Sequence, residues 1–377
     1  MKVVIAIDSF KGSLSSVAAG RAAAEGIRRV SAEAECTVHP LADGGEGTVA
    51  ALVDGLGGVL RTVEVTGPAG KPVTAKYGLL GDGTAVLEMA EAAGITLVSG
   101  EEKNPLYTTT YGVGEMILDA VRHGAKKFIV GIGGSATNDG GAGMLQALGW
   151  RLLDADGNGL PRGGAALAIL SRIESPDSSI LARLADFQIA CDVTNPLCGE
   201  KGASAVFGPQ KGATPEMVKT LDAALGHFAA VAGPEFRDFP GAGAAGGLGF
   251  AFKTFLHADL VPGVELILKE TKLEDSVREA DVVVTGEGRL DGQTVMGKAP
   301  IGVARLAKKY GKKVIAFCGC TGDGVEAVND AGIDAFFPIL RKVTSLEEAL
   351  DVRDAAANLT STAEQVFRLV SSPVSNL

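Results

Sequence analysis

Two junctions near the start of the chain limit its architecture more than any other feature. A short β-branched run at residues 3–7 passes directly into Asp8-Ser9-Phe10-Lys11-Gly12, and a run at 36–41 passes into Asp43-Gly44-Gly45-Glu46-Gly47. Each loop is followed by an apolar pattern with helical spacing, carried first by Val17, Ala18, Ala22 and Ile27, then by Val49, Leu52 and Val53. A strand that is apolar on both faces belongs in the middle of a parallel sheet. Strand–loop–helix alternation predicts a doubly wound α/β domain. In such a sheet ligands bind at the carboxyl ends of the strands, where these loops emerge.

Composition narrows the function. At 377 residues the chain is long enough for two domains with separate cores. Its 52 glycines sit in a sequence that is 46% hydrophobic, so they serve turns and close backbone approaches inside a folded protein. A net charge of −10 argues against sequence-independent nucleic-acid binding, which needs an excess of Lys and Arg. No stretch approaches the roughly 18–20 apolar residues of a membrane span, and the opening apolar run is too short for a signal peptide. The five cysteines form no CxxC pair and read as buried thiols of a reducing cytoplasm. The four histidines are too scattered for a zinc site.

The pattern changes near residue 59. Runs at 59–65, 73–79 and 84–89, separated by Gly/Pro turns, read as a meander. Helices follow at about 111–123 and 214–231, with strands at 128–131 and 187–191. The βαβ style returns with strands at 281–285 and 313–317 and a last helix to about 370. The simplest account is one α/β domain assembled from residues 1–62 and 281–377, with a mixed α/β domain inserted at 63–280.

Five loops could carry chemistry. In the first, Lys11 could pair a phosphate or carboxylate and Asp8 a metal or hydroxyl; a capped turn with a surface lysine is the plain alternative. In the second, Asp43 and Glu46 direct carboxylates from a glycine turn, which suits Mg²⁺. In the third, residues 131–143 (GIGGSATNDGGAG), hydroxyls, an amide and open N–H groups suggest a phosphate cradle. Its glycine spacing is not the dinucleotide fingerprint. In the fourth, residues 285–300, Gly292 to Lys298 matches most of a P-loop, but Ala299 replaces the required hydroxyl and the strand is expected to end at 285, too early. There Glu287 or Asp291 could bind metal, Lys298 a phosphate, and Arg289 a planar carboxylate. In the fifth, Cys191-Asp192-Val193-Thr194-Asn195-Pro196-Leu197, Asp192 could be a general base or merely an Asx turn.

Taken together, the blocks at 8–12, 42–48, 131–138, 191–197 and 285–291 resemble the bacterial glycerate kinases of the glycerate 2-kinase type, and the resemblance runs over essentially the whole chain. It implies ATP-dependent phosphorylation of D-glycerate with Mg²⁺, yielding 2-phosphoglycerate, and a discontinuous flavodoxin-like domain. On that basis the ATP phosphates are expected on the 133–143 loop, through Gly133, Gly134, Ser135, Thr137, Asn138 and Asp139. Mg²⁺ is expected among Asp43, Glu46, Glu287 and Asp291. Asp8, Ser9 and Arg289 are assigned to glycerate, Lys11 and Lys298 to neutralising the transferred group, and Asp192 to the hydroxyl proton, in a cleft that closes between the domains. A non-catalytic nucleotide sensor, or a kinase for another hydroxy acid or sugar, is the alternative. Glycerate and ATP are the expected partners, with no nucleic acid, no membrane, and oligomerisation open.

Overall fold

The computed structural model describes residues 1–181, 184 and 186–371; positions 182, 183, 185 and 372–377, which fall within the expected domain ranges, lie outside the described residues. The chain is a mixed α/β protein that divides into two compact units. One comprises Met1–Asp43, Ala50–Gly57 and the chain from Val264 onward; the other comprises Gly44–Val49 and Gly58–Gly263.

The first unit holds five parallel strands, ordered Glu35–Val38, Lys2–Ile7, Val282–Leu290, Lys313–Thr321, Ala335–Pro338. Counted within the unit this is 2-1-3-4-5, the flavodoxin-like order of a doubly wound sheet. Alternate residues of one strand feed two cores. Val3, Ile5 and Ile7 pack with Ala19, Ala23 and Ile27 of helix Ser16–Val30 and Leu359 and Phe367 of helix Val352–Val370. Val4 and Ala6 pack on the other face with Ile301, Val303 and Val277. The two helices from opposite ends of the chain lie against each other where Gly26 leaves room for the Thr360 carbonyl; a Cβ there would come within 2.1 Å of it. Thr360 Oγ1 donates to the Ala22 carbonyl at 3.0 Å.

The second unit is built on a six-stranded mixed sheet, ordered Asp259–Val261, Phe187–Ala190, Lys127–Gly131, Thr84–Glu88, Pro72–Leu79, Val59–Thr66. The last three pair with one another antiparallel as a meander, and the first four are parallel to one another. Phe128 and Phe187 stack with ring centroids 4.5 Å apart at its centre. Among the described residues no helix is long and apolar enough to cross a membrane.

Several expectations shift. A boundary at 62 would cut the strand Val59–Thr66, which pairs along its whole length with Pro72–Leu79. The segment 264–280, expected in the insertion, packs Val264, Leu273 and Val277 into a core of the first unit. The strand expected at 36–41 ends at Val38. The strands expected to end at 285 and 317 run on to Leu290 and Thr321 because Glu287 to Leu290 keep pairing with Cys318 to Thr321. All five cysteines are free, but Cys320 is exposed, because the extended strand carries it past the core.

The close approach of these two strands is strict at Gly286, where a Cβ would lie 1.9 Å from the Phe317 carbonyl oxygen. Gly286→Ala is therefore expected to destabilise the protein by about 3 kcal/mol, the upper end for overpacking, measured as the loss in midpoint of chemical denaturation.

Candidate active site

In the first unit the functional side chains hang on two adjacent parallel strands. Lys2–Ile7 delivers Asp8, whose N–H donates to the Gly286 carbonyl at 2.8 Å, so the loop 8–12 begins locked to the neighbouring strand. Ser16, buried at the start of its helix, donates to the Ile7 carbonyl (2.7 Å) and accepts from the Leu41 N–H (2.8 Å), tying the first strand's end to the approach to Asp43. Gly288 passes the backbone of Phe10 and Lys11; a Cβ on it would sit 3.4 Å from Phe10 Cα. Lys11 is exposed, while Asp8, Ser9, Asp43 and Glu287 are half-buried.

The electrostatics follow from that crowding. Burial, reinforced by the Asp43 carboxylate and, less strongly, by Glu287, pushes the Asp8 carboxyl up to about 7, against the opposing pull of the Ser9 N–H (2.6 Å) and Lys11. Burial likewise raises Glu287, offset by Thr294 Oγ1, which donates to it at 2.7 Å, and by Lys298. Lys298 Nζ lies 3.6 Å from Glu287 and 3.9 Å from Asp291. Arg289, 63% exposed at its side chain, has its Nε 3.3 Å from Asp291. With the strand reaching Leu290, the near-P-loop does follow a strand closely, contrary to the expected early stop. Ala299 still stands at the hydroxyl position, and Lys298 precedes the first residue of helix Ala299–Lys309.

In the second unit the 131–143 loop leaves Lys127–Gly131. Gly133 and Gly134 are exposed, and Ser135 forms an isolated bridge with Gly94. The loop's later residues, Thr137, Asn138 and Asp139, turn inward. The fully buried Asp139 accepts from Thr110 N–H (2.8 Å), Thr110 Oγ1 (2.9 Å), Gly141 N–H and Gly143 N–H (both 3.2 Å). It folds the loop onto the helix that follows. Asn138 Nδ2 donates to Ser204 Oγ at 2.9 Å, and Thr137 is also buried. The loop with Asp43 and Glu46 divides between units: Asp43 belongs to the first, while Gly44 to Val49 go with the second. There the Gly44 carbonyl nestles on Gly131, and buried Glu88 accepts from the Val49 N–H (2.8 Å) at the start of helix Thr48–Leu56. Glu46 is exposed. Asp192 is exposed and accepts from the Gly263 N–H at 2.8 Å. Among the described residues no three His, Cys, Asp or Glu side chains group so as to hold a metal ion. In the first unit Asp291 is turned toward Arg289 and the Gln293 N–H, and Glu287 toward Thr294.

The model of the glycerate kinase family matches residues 3–371. The chain belongs to the glycerate kinase family. It is 50% identical to "Glycerate kinase" of Haemophilus influenzae, over 98% of this chain and 99% of that protein. It is 49% identical to "Glycerate 2-kinase" of Escherichia coli K12, over 93% of each. A crystal structure of a Salmonella typhimurium LT2 protein assigned to glycerate kinase 2 superposes with a TM-score of 0.90 at 47% identity, covering 98% of each chain. Membership makes this chain an enzyme, a kinase.

Two residues of this family member escape a reading of its sequence. Glu88 ends an otherwise apolar strand, and that lone charge was the available signal. Lys211 lies in Gly208-Pro209-Gln210-Lys211-Gly212, which reads as a surface turn, yet its side chain is buried against the 131–143 loop.

The raised carboxyl of Asp8 has a stability consequence. Because its folded pKa lies above its unfolded value, the folded state holds the proton more tightly, and stability falls as pH rises from about 4 to 7. Asp8→Asn is expected to raise the melting temperature at pH 8 by a few degrees and to leave it nearly unchanged at pH 4, read by thermal denaturation at both pH values.

Proposed function

We propose that this chain is an ATP-dependent kinase that phosphorylates the 2-hydroxyl of D-glycerate, giving 2-phosphoglycerate and ADP in the cytoplasm. Near-50% identity along almost the full length to proteins named glycerate kinase, one of them named glycerate 2-kinase, carries this reading. The loops supply the chemistry that phosphoryl transfer asks for, which is positioning and neutralisation of charge. The hydroxyl oxygen attacks the γ-phosphorus, the bond to the β–γ bridging oxygen breaks, and ADP leaves.

In this reading Gly133, Gly134 and Ser135 face the ATP phosphates, and Thr137, Asn138 and Asp139 hold the loop that presents them. Exposed Arg289 offers a planar fork to the glycerate carboxylate, with Asp8 and Ser9 as further glycerate contacts. Lys11 and Lys298 neutralise the transferring group. Mg²⁺ would lower the charge of the phosphates; it needs only one or two protein carboxylates beside phosphate and water, a demand that Asp43 and Glu287, with Glu46 and Asp291 as further candidates, fit.

Two carboxylates compete for the hydroxyl proton. Asp192 is exposed and fixed by the Gly263 N–H. Asp8 offers a second reading, because a carboxyl pushed up to about 7 suits a base working near neutral pH.

A coupled ADP-release assay with D-glycerate, followed by ³¹P NMR of the product, tests the whole proposal; no ADP, or 3-phosphoglycerate alone, would refute it. Lys11→Ala is expected to lower kcat on the order of 100-fold, the scale for removing one electrostatic stabiliser. Comparing Asp192→Asn with Asp8→Asn identifies the base: the essential one loses turnover by about 100-fold or more, while the other retains most of it.

A further inference from the structure

Lys211 is the one lysine buried among the described residues, with 1% of its surface exposed. It ends the short turn Pro209–Lys211, which Gly212 closes in a left-handed conformation (φ 94) tight against the Lys103 carbonyl. From there the ammonium donates to Ser135 Oγ at 2.7 Å and to the Thr137 carbonyl at 2.6 Å. Burial pushes it down to about 7, opposed by attraction to Asp139. Asp139, though, spends its hydrogen bonds on Thr110, Gly141 and Gly143, and no direct ion pair joins it to Lys211. A lysine kept in the interior for stability alone is a poor choice, since an apolar side chain of the same length fills the space without the desolvation cost.

The geometry has a chemical consequence at Ser135. A hydroxyl has one proton and two lone pairs. Lys211 occupies a lone pair, so the Ser135 proton is directed elsewhere, and no acceptor among the described residues takes it. A cation bonded to the oxygen also makes that O–H a stronger donor. Ser135 directly follows the exposed Gly133 and Gly134 and keeps 7% of its own surface open. The loop is also held by Gly246 (φ 70), where a Cβ would come within 2.0 Å of the same Thr137 carbonyl, and which accepts from the Gly140 N–H at 2.9 Å.

We propose that Lys211 is a positioning residue for nucleotide binding: by holding Ser135 Oγ and the Thr137 carbonyl, it aims the Ser135 hydroxyl as a donor to a phosphate oxygen. This rests on the placement of ATP on the 131–143 loop proposed above. Lys211 does not itself touch the nucleotide.

The test is calorimetric binding of a non-hydrolysable ATP analogue with Mg²⁺ to the wild type, Ser135→Ala, Lys211→Met and the double variant, beside melting temperatures. Each single change is expected to weaken binding about ten- to a hundredfold, the range for a hydrogen bond involving a charged group. The double variant is expected to be no weaker than the weaker single, because the two residues act through one contact. Ser135→Ala removes one oxygen and should melt within a few degrees of the wild type, so it decides the matter even where Lys211→Met fails to fold. Wild-type affinity in Ser135→Ala, additive losses in the double variant, or a wild type that binds no nucleotide would each overturn the proposal. A wild type that binds the analogue but releases no ADP with D-glycerate would sink the glycerate reading alone, and the binding series would still decide the role of Lys211.

Discussion

The parallel pairing of Lys2–Ile7 with Val282–Leu290 is the contact on which the first unit depends. It joins residues from opposite ends of the sequence, so it closes a very long loop, and the entropy of that closure must be recovered by what the contact organises. It organises a great deal. The central strand gains neighbours on both edges, helix Ser16–Val30 meets helix Val352–Val370, and two cores form on the two faces of one sheet. The same pairing sets Asp8 beside Gly286 and brings Glu287 within electrostatic reach of it.

That placement works against stability. The Asp43 and Glu287 carboxylates both act on Asp8, where burial already disfavours its charge. A protein selected for rigidity alone would replace one of them with an amide or an apolar residue. Crowded, partly buried carboxylates are a common mark of functional sites, and such sites commonly reduce stability. The second unit shows the same trade in another form. Around its glycine loop, Thr108, Thr109, Thr110, Asn138, Asp139 and Lys211 are all buried polar residues, most of them satisfied by the loop's own backbone or by one another.

Much of this was legible in the residues. Short β-branched runs against helical spacing announced the doubly wound sheet, and glycine beside acid marked the strand ends where the candidate loops emerge. The meander at 59–89 was readable from its Gly/Pro turns. The misreadings share a cause. Glu287 and Arg289 look like loop residues because they are charged, yet they continue a strand whose neighbour, Lys313–Thr321, is distant in sequence and supplies the pairing. Asp139 looks like a ligand for a cation or nucleotide because acids in glycine loops often are, yet it turns inward to bind the N–H groups of its own turn.

The sequence alone therefore determined the fold class and where the candidate loops begin, because both follow from local periodicity and from the limited conformations open to glycine, proline and β-branched residues. Tertiary structure decided which charged side chains in those loops face outward and which are buried. It exposed Arg289, half-buried Asp8 beside Asp43 and Glu287, and drew Lys211 from an ordinary-looking turn beneath Ser135. The reason is physical: burial and charge proximity are set by what other segments of the chain bring into contact, and no local pattern encodes the neighbours that a distant strand or turn will provide.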